Sequence, residues 1–152
     1  MLFRSIRMTP EEVEAYLTVE KDRQVASINA DGSPHLVTMW FALMEGDICF
    51  WTYGRSQKIV NLQRDPRVTV LVATGAEYGE LRGVTISGRA QVIEDRDEVN
   101  RIGETVFEKY WMPIEDDATR EGVRAMGSKR LGVRITPEKV VSWDHTKLGG
   151  MY

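Results

Sequence analysis

Gln24-Val-Ala-Ser-Ile-Asn-Ala-Asp-Gly-Ser-Pro-His-Leu-Val-Thr-Met-Trp-Phe-Ala-Leu43 reads as two strands folded about one tight turn. The runs Gln24 to Ala30 and His35 to Leu43 are rich in residues that favour strands, and Asp31-Gly32-Ser33 supplies the glycine that a reversing chain needs. Working outward, Glu45-Gly46-Asp47 makes a second turn, so Ile48 to Tyr53 is expected as a third strand antiparallel to the second. Arg67 to Ala73 gives a fourth strand. Leu81 to Ile93 gives a long fifth that would close a barrel, with Gly88 as a bulge or close backbone approach. Arg130 to Ile135 follows as a sixth, and Lys139 to Trp143 as a final strand or edge ahead of the tail Asp144 to Tyr152. Val37, Met39 and Phe41 point to one side and Leu36, Trp40 and Ala42 to the other, so both faces of the second strand are apolar. An antiparallel sheet normally leaves one face in water, and this pattern therefore implies a barrel whose outside meets a partner subunit or a cofactor.

Four helices surround these strands. Thr9-Pro10-Glu11-Glu12 is a capping box with proline at the first helical position, opening a helix that runs to about Lys21. Ile59, Val60 and Leu62 mark a short helix between Ser56 and Asp65, ended by Asp65-Pro66. Val99, Ile102, Val106, Phe107 and Tyr110 recur at helical spacing behind Asp95, which predicts a helix over Asp97 to Tyr110, and another covers Asp117 to Met126. The fold class is mainly β with peripheral helices, one domain spanning residues 1–152, and a homodimer.

Composition narrows the chemistry. The longest apolar runs, such as Val68 to Ala73, are far short of a membrane span, and Met1 to Met8 shows no signal-peptide pattern, so a cytoplasmic location is expected. With 20 basic and 23 acidic residues and no basic cluster, nucleic acid is not an expected partner. Cys49 stands alone inside an apolar run, as a core thiol does. His35 and His145 lie far apart without metal-ligand spacing, and no G-x-S-x-G element marks a hydrolase. Trp143-Asp144-His145 could suggest a dyad, but neighbours in a strand point to opposite faces.

Arg55-Ser56-Gln57-Lys58 is the segment that carries chemistry. A helix N-terminus presents backbone N–H groups without partners and the positive end of the helix dipole, which suits a phosphate. Arg55 and Lys58 add charge on either side. Serine also caps many helices that bind nothing, and composition alone leaves both readings open. A phosphate here would place an attached ring over the ends of the second and third strands, where Trp40, Trp51 and Thr52 are expected to cluster. His35, opening the second strand, is a contact for such a ring or a plain structural residue.

The stretch from Asp31 to Val68 contains His35-Leu-Val-Thr-Met-Trp40, Phe50-Trp-Thr52, Ser56-Gln-Lys58 and Asn61-Leu-Gln-Arg-Asp-Pro-Arg-Val68. It resembles the pyridoxamine 5'-phosphate oxidase-like superfamily and looks more specifically like the actinobacterial branch that uses coenzyme F420. Arg82-Gly-Val-Thr-Ile-Ser-Gly88 is similar to a strand that borders the cofactor there. Gly132 to Ile135, Ser142 to His145 and Lys147 to Gly149 resemble the F420-associated group. This resemblance, over residues 9 to 149, implies a six-stranded antiparallel split β-barrel (an FMN-binding split barrel) and a homodimer. It implies ring and chain contacts from His35, Val37, Thr38, Met39, Trp40, Trp51 and Thr52, phosphate contacts from Ser56, Gln57 and Lys58, and a bordering Arg82. The implied function is hydride transfer between F420 and an unsaturated or conjugated small organic substrate. An FMN-dependent oxidoreductase of the same fold and a non-enzymatic F420- or flavin-binding protein are the alternatives. The oxidases proper carry arginine at the position of Gln57 and lysine at that of Trp40, a departure that weakens the vitamin-oxidase and FMN assignments.

Overall fold

Thr9 and Glu12 open the first helix by exchanging hydrogen bonds, each side chain meeting the other's backbone N–H at 3.2 and 3.0 Å. The computed structural model describes residues 5–150, so residues 1–4 and 151–152 of the expected 1–152 domain lie outside it. Among the described residues there are four α-helices: α1 (Pro10–Val19), α2 (Gln57–Arg64), α3 (Arg96–Tyr110) and α4 (Asp117–Met126). The strands are β1 (Arg23–Ile28), β2 (Pro34–Thr38), β3 (Ala42–Met44), β4 (Asp47–Tyr53), β5 (Arg67–Thr74), β6 (Arg82–Ile93) and β7 (Arg130–Asp144). None of the described helices is long and apolar enough to cross a membrane.

All seven strands join one antiparallel sheet in the order β2-β1-β5-β6-β7-β4-β3. The two strands at the edges of that order are neighbours in the chain. Four residue steps from Thr38 to Ala42 reach at most about 14 Å. The sheet must therefore curl until its edges nearly meet, and since β2 and β3 do not pair, the barrel is split.

Three expectations change. The run His35 to Leu43 is not one strand: Pro34–Thr38 pairs with β1, whereas Ala42–Met44 pairs with β4, Ala42 opposite Cys49. The break comes where the chain crosses the split, and Phe41 there is 1% exposed and fixed by an N–H donated to Tyr110 Oη. Leu81 to Ile93 does not close the barrel. As β6 it is the central strand, flanked by β5 and β7, and the opening lies elsewhere. Arg130 to Ile135 and Lys139 to Trp143 are halves of β7, whose register with β6 shifts at the Ser87/Gly88 bulge. The count is therefore seven strands rather than six. At the bulge Gly88 faces the backbone of β7 so closely that a Cβ would lie 2.0 Å from Thr136 O.

The barrel interior is filled by Val25, Phe50, Val70, Val72, Val84, Val133 and Ile135, with Tyr16 of α1 and Ile59 and Leu62 of α2 packed into it. Outside the sheet, α3 and α4 cover a second cluster containing Cys49, Trp51, Val99, Ile102, Val106 and Val123. β4 lies between the two, sending Ile48 and Phe50 inward and Cys49 and Trp51 outward, which explains its unbroken apolar sequence. On β2 only the inward side is covered, since Leu36 on the outer side is 65% exposed.

Gly88→Ala should lower stability by about 1–3 kcal/mol through overpacking against backbone. Gly122→Ala, on α4 where an added Cβ meets nothing within 4 Å, should raise it by about 0.5–1 kcal/mol. Urea midpoints of the two variants moving in the same direction would contradict this.

Candidate functional site

At the end of β4 the chain turns through Gly54 and Arg55 into α2. Ser56 N–H donates to Tyr53 O at 2.9 Å, and Gly54 N–H donates to Lys129 O at 2.9 Å, fixing the turn to the start of β7. Ser56 occupies the N-cap position with φ −65° and ψ 154°, yet its hydroxyl caps nothing. The Oγ atom is buried and has no hydrogen-bond partner. The first turn of α2 carries no acidic residue. Lys58 is half-buried, forms no ion pair among the described residues, and burial alone pushes its ammonium below the usual lysine range. A dipole's positive end, an idle hydroxyl and a cation without a counter-ion thus lie within three residues. That set suits an anion with several acceptor oxygens. Arg55 beside it is exposed.

Gln57 is used differently. Its Nε2 donates to Asn61 Oδ1 at 2.8 Å, and Asn61, 0% exposed, donates from Nδ2 to Ser27 Oγ at 3.1 Å and to Asn29 Oδ1 at 3.0 Å. Arg64 reaches Ile28 O. This network locks α2 onto β1. Ser27 stands opposite His35 in the β1–β2 register, so His35 and Val37 share the inward side of the sheet with it, near α2. Thr52, buried on the inward side of β4, belongs to the same interior.

The other expected contacts are distributed more widely. Met39 packs against the barrel core, whereas Thr38 and Trp40 are exposed. Trp51 points out beneath α3, so close to Gly103 and Gly127 that a Cβ on either would come within 2.2 Å of its ring. Trp40 stacks instead on Tyr110, with centroids 4.5 Å apart and planes 9° apart. Tyr110 lies seven residues beyond Gly103, or about 10 Å along a helix. The expected cluster of Trp40, Trp51 and Thr52 is therefore absent, because adjacent residues of β4 face opposite sides and α3 holds the two tryptophans two turns apart. Arg82 faces Thr74 across the β5–β6 pair, at the opposite end of β5 from α2. There it pairs with Asp144 at 3.4 Å and lies over the Tyr16 ring at 4.9 Å. Asp144 also accepts hydrogen bonds from the backbone and hydroxyl of Thr146, while His145 Nδ1 meets Tyr78 O at 2.7 Å, so these two residues form no dyad.

Asn61 has the structural role that sequence reading left unassigned. Its signal was a polar residue flanked by the buried-face positions Ile59 and Leu62. A sizeable cavity lies away from α2. It measures about 600 Å³ and is enclosed by α1, Leu43 and Pro137 to Ser142 of β7. Its lining is mainly apolar, with Arg7, Glu14 and Lys139 as its charged members. Among the described residues no group of histidine, cysteine and acidic side chains could hold a metal ion.

The family model for pyridoxamine 5'-phosphate oxidase matches residues 8–144. A conserved hypothetical protein from Mycobacterium tuberculosis has a solved structure that superposes with a TM-score of 0.92 at 38% identity, covering 100% of this chain and 95% of that one. An F420 reductase aligns with a TM-score of 0.64 at 19% identity, over 84% of this chain and 94% of its own. A heme storage protein from Vibrio cholerae gives a TM-score of 0.68 at 17% identity over 90% and 95% of the two chains. The latter two likenesses establish the fold alone. No curated protein matches the sequence.

Because the Ser56 hydroxyl caps nothing, Ser56→Ala should leave the free protein's stability within about 0.5 kcal/mol of the parent, whereas losing a working serine cap costs about 1 kcal/mol. Asn61→Ala strands Ser27 and Gln57 and should cost about 1–3 kcal/mol. Thermal and urea unfolding of both variants check the contrast, and a large loss in the serine variant would refute it.

Proposed function

The chain belongs to the pyridoxamine 5'-phosphate oxidase family, and from that membership we propose that it is an oxidoreductase holding the phosphate of coenzyme F420 at the start of α2. The observation that carries this reading is the buried, unbonded Ser56 Oγ beside a half-buried Lys58 without a counter-ion. Both groups fit a phosphate, since one needs a hydrogen-bond partner and the other a negative charge. F420 is favoured over FMN by the two departures from the oxidase pattern, Gln57 and Trp40.

Bound there, the deazaflavin would supply hydride transfer to or from an unsaturated or conjugated small organic substrate. The protein's own residues bind and orient. Lys58 and the first backbone N–H groups of α2 take the phosphate oxygens, and Ser56 donates its hydroxyl. Gln57 braces this turn through Asn61 rather than spending its amide on the ligand. His35, Val37 and Thr52 line the adjoining interior, whose apolar packing keeps water from the body of the cofactor.

A homodimer belongs to the same proposal. From Thr136 to Val141 strand β7 has β6 on one side only, and Val140 and Val141 there are 49% and 44% exposed. An unpaired strand edge carrying valines is a surface that a second copy of this chain can cover.

Titration of the purified protein should show tight binding of F420 and weaker binding of FMN. Lys58→Ala should weaken F420 binding by about 1.5–3 kcal/mol, the range of one charge-assisted contact. Unchanged affinity in a folded Lys58 variant would mean that the phosphate lies elsewhere, and binding without turnover of any acceptor would leave a carrier rather than an enzyme. Sedimentation should return a particle of twice the 17.3 kDa chain mass.

A further inference from the structure

The C-terminal end of α3 gathers positive charge around one aromatic ring. Lys21 Nζ, Arg23 Cζ and Lys109 Nζ lie 5.6, 5.1 and 5.7 Å from the centroid of Tyr110. None of the three forms an ion pair among the described residues, although Glu20 and Asp22 alternate with them in sequence. Several cations elsewhere are neutralised: Arg134 meets Glu45, Asp47 and Glu98, Arg120 and Arg124 share Glu104, and Lys147 meets Glu12. Arg23 Nε is buried without an acceptor. Burial, then the charges of Arg23 and Lys21, push the Lys109 ammonium down to about 8.

A structural role accounts for part of this. Lys109 donates to Leu17 O at 2.9 Å, at the last turn of α1, and lies 3.6 Å over the Phe41 ring. That contact explains where Lys109 sits. It does not explain why two further cations converge there without an ion pair, Asp22 and Glu20 acting on Arg23 and Lys109 only from beyond contact distance, since like charges at such spacing repel and the repulsion grows as water is excluded. Cation–π attraction to a single ring offsets little of this at a partly exposed site.

The neighbouring surface is aromatic. Trp40 covers the Tyr110 ring by stacking on it and, 38% exposed, forms a platform. Trp111, 55% exposed, meets Trp40 edge-on at 5.5 Å and 87°, forming a wall at right angles to the platform.

We propose that this corner is a second binding site, for a small planar organic anion such as an aromatic carboxylate, with its ring against Trp40 and Trp111 and its charge among Lys21, Arg23 and Lys109. The inference does not rest on the α2 phosphate, because no residue of α2 contributes to it.

The probes are 2-naphthoate and its neutral analogue 2-naphthalenemethanol, titrated into the 152-residue chain and followed by calorimetry and tryptophan emission. Naphthoate should bind at least about tenfold tighter than the alcohol, the scale of one charge-assisted interaction. Arg23→Gln and Lys109→Met should each weaken it by about tenfold, and Trp40→Leu should weaken both probes. Arg101→Gln, removing an exposed α3 cation that pairs with Glu45, should change neither. Lys109→Met also loses the α1 contact, so its fold is checked by thermal melting, and Arg23→Gln tests the charge independently. Equal affinity for the two probes, an equal loss in Arg101→Gln, or no saturable binding of naphthoate at millimolar concentration would each overturn the proposal.

Discussion

Three residues, Met39, Trp40 and Phe41, tie one edge of the sheet to the other, and much of the architecture follows from that short tether. A seven-stranded sheet whose end strands are separated by so little chain cannot stay open and flat. Its curvature encloses the barrel core, creates the interior that His35, Val37 and Thr52 share, and turns the outer face of β4 toward α3. Phe41 anchors the tether by its burial, and Tyr110 anchors it by accepting its backbone N–H. The crossing point of the split and the C-terminal end of α3 are therefore one structural unit.

Much of the fold was legible because it rests on local chemistry. The capping box at Thr9, the Asp-Gly turn, the proline stop at Asp65-Pro66 and the Gly88 bulge are short-range devices, and each is visible as a few neighbouring residues. What stayed hidden depends on distant pairing. No local feature of His35 to Leu43 says that its second half must leave β1 for β4, since both halves are equally strand-like. Nor does Leu81 to Ile93 announce that it is central. A long strand with two covered faces reads the same whether it closes a barrel or forms its middle.

The candidate site divides along the same line. Its charge and its helix start could be read from Arg55 to Lys58, because a helix N-terminus is a local object. Its bracing could not. Asn61 gains its meaning from Ser27 and Asn29, more than thirty residues away, and the separation of Trp40 from Trp51 comes from the alternation of β4 together with the placement of α3. The unsatisfied Ser56 hydroxyl is the reverse case. The sequence leaves open whether that serine caps its helix or meets an anion, and in the structure it caps nothing.

Cys49, the only cysteine in the chain, lies fully buried beneath α3, and burial pushes its thiol up to about 11. At neutral pH almost no thiolate forms, so peroxide and electrophiles find no reactive cysteine in the folded protein. The thiol therefore serves as an apolar core group and takes no part in exchange or oxidation while the fold is intact. A single cysteine introduced at the surface would be the molecule's sole reactive handle, free for site-specific labelling.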